Sequence, residues 1–251
     1  MPPVPCALPI FRILPLLFVL IWSGVASVPS LGAQESRDLE VTADFGFVNA
    51  TGNSDVTTVN VGEEVEVGLG PWGVNQAFAL VYGRTDGEVS ASSWRARVRG
   101  DRTLGGGIGV YLLAAFDRNT FAGVSRRFEE NLGLVFRVLD SDSDRLEFEA
   151  GAGLTQQKST TGTSDSFASA RLGSTYRRGL GESSHLQLSS ELLPNLEDSG
   201  DLRVNSTAEV VAPLSQVLST KLSYSIRFDR QPEPGFGRTD RIFTAGLQVT
   251  L

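Results

Sequence analysis

The sequence predicts an all-β protein, an antiparallel up-and-down transmembrane β-barrel of twelve strands. Three observations carry this. From residue 38 onward, apolar and polar residues alternate with a period of two, in segments of about 9–13 residues, the length a tilted strand needs to cross a bilayer. No apolar run after residue 33 approaches the roughly 18 residues of a membrane helix, so any crossing must be made by strands. The polar face of these segments carries Arg and Glu in mid-strand. A soluble barrel or sandwich, apolar inside and charged outside, is the competing architecture, but a polar lumen accommodates mid-strand charge better.

The first segment sets Leu39, Val41, Ala43, Phe45 and Phe47 against Glu40, Thr42, Asp44 and Gly46. After Thr51-Gly52-Asn53-Ser54-Asp55, the second sets Val59, Val61, Val65, Val67 and Leu69 against Asn60, Gly62, Glu64, Glu66 and Gly68. Gly70-Pro71-Trp72-Gly73 then breaks the pattern as a turn. Residues 75–84 form a third segment whose faces the pattern does not separate. The fourth, 91–103, sets Trp94, Ala96 and Val98 against Arg95, Arg97 and Arg99, and the fifth, 108–116, is apolar on both faces. In the sixth, Leu132, Leu134, Phe136 and Val138 oppose Asn131, Gly133 and Arg137. In the seventh, Leu146, Phe148, Ala150, Ala152 and Leu154 oppose Arg145, Glu147 and Glu149. The eighth places Ala168, Ala170, Leu172 and Tyr176 opposite Ser169 and Arg171, and the ninth places Leu186, Leu188 and Leu192 opposite His185, Gln187 and Glu191. The tenth opposes Leu202, Val204, Ala208 and Val210 to Arg203, Asn205 and Glu209, and the eleventh Leu222, Tyr224, Ile226 and Phe228 to Lys221, Ser223 and Arg227. The twelfth runs from about 241 with Phe243, Ala245, Leu247, Val249 and Leu251 on one face. Because the third and fifth segments lack a clear polarity, ten strands is the alternative count.

With the N-terminus on the periplasmic side, turns at 70–74, 104–107, 139–144, 179–184 and 212–216 fall there. Connections at 117–125, 156–165, 194–200 and 229–240 fall outside and are expected to be mostly longer, as in transmembrane barrels.

Arg12, the apolar run Ile13–Trp22 and the small residues Ser23-Gly24-Val25-Ala26-Ser27 have the order of a secretory signal. Cleavage is expected after Ala33, with a cut near Ala26 or Ser27 as the alternative; an uncleaved anchor helix is disfavoured by Pro15 and the short apolar core. The division is then a signal peptide over 1–33 and a barrel domain over 34–251. Removing the signal removes Cys6, the one cysteine, which excludes disulfides and thiol chemistry in the mature chain. A net charge of −7 without a basic tract argues against a nucleic-acid partner. The expected partners are outer-membrane lipid and, during biogenesis, the barrel-assembly machinery of a bacterial outer membrane.

Several stretches carry a family resemblance: Thr51-Gly52-Asn53-Ser54-Asp55, residues 116–127 from Phe116 to Arg127, Leu146–Leu154, and Lys221–Asp229 followed by Gln231-Pro232, Pro234-Gly235-Phe236 and Thr239-Asp240. Together they resemble the domain-of-unknown-function 481 family, whose members are often labelled salt-induced outer membrane proteins. The resemblance covers about residue 40 to the C-terminus and implies an outer-membrane barrel. It brings no established activity and no catalytic residues. Outer-membrane strands commonly end in an aromatic residue read by the assembly machinery, and Leu251 departs from that pattern.

Motifs for chemistry are sparse, and no cofactor or metal is expected. His185, the one histidine, lies on the polar face, whereas a barrel lipase would need its histidine toward lipid; the neighbouring Ser183 and Ser184 point to opposite faces. Asp140, Asp142 and Asp144 alternate as a Ca²⁺ loop could use, but lack the Gly and the distal Glu of such a loop, and read as a solvated turn. The polar face is the informative feature. Glu64, Glu66, Arg95, Arg97, Arg99, Arg137, Glu147, Glu149, Arg171, Glu191, Arg203, Glu209, Lys221 and Arg227 would share one lumen, where charges must pair or stay hydrated. They would form either a narrow, small-solute pore or a salt-bridged plug in a non-conducting envelope barrel. A lipid-modifying enzyme is the third and least supported reading.

Overall fold

Alternation of small, β-branched and aromatic residues with polar ones gives twelve strands among the described residues of a computed structural model, which describes residues 39–50, 56–181 and 184–251. They are β1 (Leu39–Ala50), β2 (Val56–Leu69), β3 (Trp72–Thr85), β4 (Glu88–Gly105), β5 (Ile108–Asn119), β6 (Val124–Asp140), β7 (Asp144–Ser159), β8 (Ser164–Gly179), β9 (His185–Pro194), β10 (Leu202–Pro213), β11 (Leu218–Asp229) and β12 (Thr239–Thr250). Each pairs antiparallel with its chain neighbours, and β12 returns to β1, so the sheet is a closed barrel with no free edge strand. The expected signal segment, residues 51–55 and Ser183 lie outside the described residues.

Register fixes which side chains share a face. Thr42, Glu64, Ala77, Arg97, Ala115, Glu129, Thr155 and Phe167 are successive partners around eight strands and therefore point to one side. The row Val110, Leu134, Ala150, Leu172, Leu192, Val204 and Phe228 points to the other. Exposure tells inside from outside. Leu112, Leu132, Leu172 and Phe243 are among the exposed large apolar residues, while Asp117, Arg127, Asn131, Thr155 and Arg203 are buried. Polar groups inside and apolar groups outside is the reverse of a water-soluble barrel. Only lipid around the wall removes the cost of so much exposed apolar surface. On the outer face Trp94 stacks on Phe116 at 4.7 Å between centroids and leans on Phe78 at 6.2 Å, as an interfacial aromatic band does.

Two carboxylates break the outer apolar face. Glu63 pairs with Ala43 and Phe78, and Glu130 with Ala114 and Leu154, which places both on the lipid side. Glu130→Leu is expected to raise the free energy of unfolding by about 1 kcal/mol, since a lipid-facing acid is mildly costly. Urea unfolding in lipid vesicles checks this, and a loss of stability would show that Glu130 has a favourable contact.

The segments left ambiguous by the sequence are β3 and β5, and twelve strands is the correct count. In β3, Gln76 sits outside among Phe78, Leu80 and Tyr82, while Val81 points inward. In β5, Tyr111 and Leu113 point inward and cluster with Val135, a small apolar core within the lumen. Space for the Tyr111 ring exists because β6 and β7 present glycine there. A Cβ on Gly133 would lie 2.7 Å from Tyr111 Cε1, and one on Gly151 would overlap the phenolic oxygen.

The connections need one correction. The outside segments expected at 117–125 and 156–165 shrink to 120–123 and 160–163, because β5, β6, β7 and β8 continue further than the alternation indicates. β3 and β4 meet in the two-residue turn Asp86-Gly87, whose φ values of 50° and 82° are what the twist of a tight hairpin demands. Only 195–201 and 230–238 are long among the described connections, and both lie at the same end of the barrel.

Candidate functional site

Inward-facing charges from separate strands meet in the lumen. Arg95 on β4 reaches Asp117 on β5 at 3.3 Å and Glu191 on β9 at 3.9 Å. Glu191 also accepts from Arg171 on β8 and from Asn205 Nδ2 at 2.6 Å. Arg171 continues to Glu149 on β7 at 3.5 Å, and Glu149 accepts from Arg99 on β4 at 2.7 Å. Arg99 closes the series through both its Nε and Nη2 on Asp101, at 2.8 and 2.7 Å, with its guanidinium 4.5 Å above the Tyr111 ring. Signs alternate along this whole chain, and it begins and ends on or next to β4 after crossing to β9. It is a zipper across the lumen, tying one wall to another. Arg203 on β10 makes a second crossing to Glu129 on β6 at 2.5 Å, and Arg227 on β11 approaches Ser93 on β4 at 3.5 Å.

The remaining sequence-predicted charges pair more locally. Lys221 sits 2.8 Å from Asp44 and 3.6 Å from Glu209. Arg137 donates to Glu147 at 3.0 Å and to Thr103 at 2.9 Å. Arg97 meets Glu64 at 3.3 Å, and Asn75 donates to Glu64 and Glu66 at 2.7 and 3.1 Å.

These groups differ sharply in hydration. Side chains of Arg171, Glu149 and Arg203 are 14%, 12% and 7% exposed, whereas Arg97 and Glu64, also inward-facing, are 47% and 40% exposed. Ala79, which follows Ala77 on the inner face of β3, is exposed as well. The lumen is therefore asymmetric: filled by the zipper from β4 round to β10, and open to water along β2, β3 and the Arg97 side of β4.

Sequence reasoning passed over several members of this network. Asp101 lies at the end of the fourth segment, Asp117 in the expected connection 117–125 and Glu129 ahead of the alternating part of the sixth segment, yet inward parity along the full strands includes all three. Tyr111 was hidden by the apolar appearance of β5. His185 stands at the short-turn end with Nδ1 3.3 Å from Arg177 Nη2. In the acidic turn, Asp140 pairs with Arg145 at 3.2 Å and Asp144 accepts from Tyr176 at 2.5 Å. Among the described residues no group of three His, Cys, Asp or Glu is placed to hold a metal.

At the end with long connections, 230–238 crosses the mouth. A Cβ on Gly123, in the β5–β6 connection, would lie 2.6 Å from Glu233 Cβ and 2.9 Å from Phe236 Cδ2. Beneath this strap lies a cavity of about 470 Å³ lined by β8, by 195–201 and by the strap itself.

A family model described as "Protein of unknown function, DUF481" matches residues 43–251. The chain belongs to the DUF481 family. The motifs at 116–127, 146–154 and 221–240 that carried the resemblance all fall within the matched region. No curated protein matches this DUF481 barrel. Its fold is similar to that of the NanC porin, with a TM-score of 0.53 at 8% identity over 85% of this chain and 100% of the other. The translocator domain of the autotransporter NalP from Neisseria meningitidis matches with a TM-score of 0.48 at 11% identity, over 95% of each chain. At such identities the likeness to the NanC porin is one of architecture.

Proposed function

We propose that this DUF481 protein is an integral outer-membrane barrel carrying a narrow, eccentric aqueous pore for ions and small polar solutes. The observation that carries the reading is the hydration contrast across the lumen, with Arg97 and Glu64 half-exposed in mid-strand while the zipper opposite is buried. A twelve-strand circumference lies between the eight strands that side chains fill and the sixteen that leave a wide channel. Partial filling then leaves a slot rather than a bore. The inside-out polarity and the porin-like architecture support the membrane setting. Export by the signal over residues 1–33, insertion by the barrel-assembly machinery and contact with outer-membrane lipid belong to the same proposal. No reaction is assigned; a His185→Ala control in a lipid-hydrolysis assay separates this reading from an enzymatic one.

Planar-bilayer recording of the purified protein tests the pore. Small conductance steps are expected, and Arg97→Glu should keep them while shifting the reversal potential in a salt gradient toward cations. Absence of steps above background would overturn the reading. The strap and the lumen-crossing zipper favour a second one, a non-conducting barrel that stiffens the envelope and displays its long connections. That version is expected to give no Arg97-dependent selectivity.

A further inference from the structure

The cavity under the strap has a divided electrostatic character. Its floor holds two buried arginines. Arg127, at 9% exposure, donates through Nε to Gln157 at 3.1 Å, and has no ion-pair partner among the described residues. Arg203 uses Nη1 on Glu129, and its Nη2 is buried without a hydrogen-bond partner. Guanidinium groups left this way are costly, and a ligand carboxylate, which matches their fork geometry, satisfies them. The walls and rim carry Asp165, Glu197, Asp198, Asp201, Asp229 and Glu233, none of which has a cationic partner within ion-pair distance among the described residues. Some accept backbone hydrogen bonds, Glu197 from Ala168 on β8 and Asp229 from Gln231 in the strap, which fixes their positions but leaves their charge in place. A purely anionic ligand would meet the field of six carboxylates. A purely cationic one would leave the arginines unmet.

We propose that this cavity binds a small zwitterion of amino-acid or dipeptide type, its carboxylate on Arg127 and Arg203 and its ammonium among the rim carboxylates. The volume of about 470 Å³ lies in the range of small-ligand sites and suits a ligand of this size. A smaller cavity shares Arg127, Arg203 and Asp229 and adds Arg95 and Arg227, so the floor of the site faces the lumen charges. The site is a vestibule above the zipper, at the mouth that the strap narrows.

Isothermal titration of the full barrel in detergent at low ionic strength provides the test, with three probes: glycylglycine, its C-terminal amide and its N-acetyl derivative. Glycylglycine is expected to bind about tenfold more tightly than either blocked form. Arg127→Gln should bring glycylglycine down to the level of the amide. Glu233→Gln combined with Asp229→Asn, in positions that do not cross the lumen, should bring it down to the acetylated form. If Arg127→Gln fails to fold, the rim variant alone decides. Equal binding of the amide would leave only an acidic patch and overturn the proposal, as would equal binding of the acetyl form, saturation by none of the three, or a rim variant with unchanged affinity. Binding is read without conductance, so a silent barrel in the bilayer leaves this test intact.

Discussion

Glu191→Ala is expected to destabilise the barrel by about 2–4 kcal/mol and to shift ion selectivity toward anions. Glu191 is the node of the zipper, shared by Arg171, Arg95 and Asn205. Removing one partner of a buried ion pair costs more than the pair is worth, because the remaining charge stays desolvated. Here two guanidiniums are left, although Arg171 keeps Glu149 and Arg95 keeps Asp117, which holds the cost below the upper end for buried pairs. The same loss leaves excess positive charge where the lumen is most filled, and the missing side chain frees space beside the water-accessible slot. Urea midpoints in vesicles read the first effect, and reversal potentials with step conductance read the second. An unchanged midpoint together with an unchanged reversal potential would show that the zipper neither braces nor obstructs the lumen. Glu191→Gln should keep the bond from Asn205 and fall between the variant and the parent.

Gly151→Val is expected to cost about 3 kcal/mol, the effect of forcing volume into a site with none to spare. Tyr111 is fully buried inside the barrel, and Gly133 and Gly151 are the floor it rests on. A Cβ at Gly151 would also meet the backbone oxygen of Leu132 at 2.7 Å, so relief by moving the tyrosine alone is incomplete. Tyr111→Ala alone should cost about 3–5 kcal/mol through the cavity it opens. The double variant is expected to be more stable than the sum of the two losses allows, because the valine then occupies part of the vacated volume. Strict additivity in urea unfolding would place the damage in the strand backbone and not in the ring contact.

Strand number and facing were legible in the sequence because a period of two is a direct imprint of a sheet with unlike sides. Leu146, Phe148 and Ala150 against Glu147 and Glu149 need no third dimension to be read. The ambiguous segments have physical causes: Tyr111 and Leu113 are apolar yet inward, the Tyr111 ring seated over glycines on the next two strands, and Gln76 is polar yet outward. Glu63 and Glu130 escaped for the same reason, as single exceptions on an otherwise apolar face. What the sequence withheld is who meets whom across the lumen. Arg95 and Glu191 are neighbours only because closure of the sheet brings β4 and β9 to face each other, and no local pattern encodes that. The acids of the vestibule read as ordinary solvated loop residues until the strap folds over them. Arg127 and Glu129 lie where alternation fails, Arg126-Arg127 and Glu129-Glu130 being charged on both faces, although the pairing with β7 runs on through them.

The seam between β1 and β12 has a bearing on how fast the protein reaches its native state. Every other pairing in the wall joins strands consecutive in the chain and can form as a hairpin. At the seam Thr42–Phe45 pair with Leu247–Thr250, with Val41 and Leu251 exchanging backbone bonds at 3.1 and 2.9 Å beyond them. The side chains of Thr42 and Thr250 meet across a separation of 208 residues. Such a contact carries the largest loop-closure entropy in the molecule and the least local help in finding its register. Ring closure is therefore expected to be the last pairing to form, resolved as a separate slow phase in refolding into lipid vesicles. Sequence changes confined to these few residues would retard it while leaving the rest of the sheet free to assemble at its usual pace.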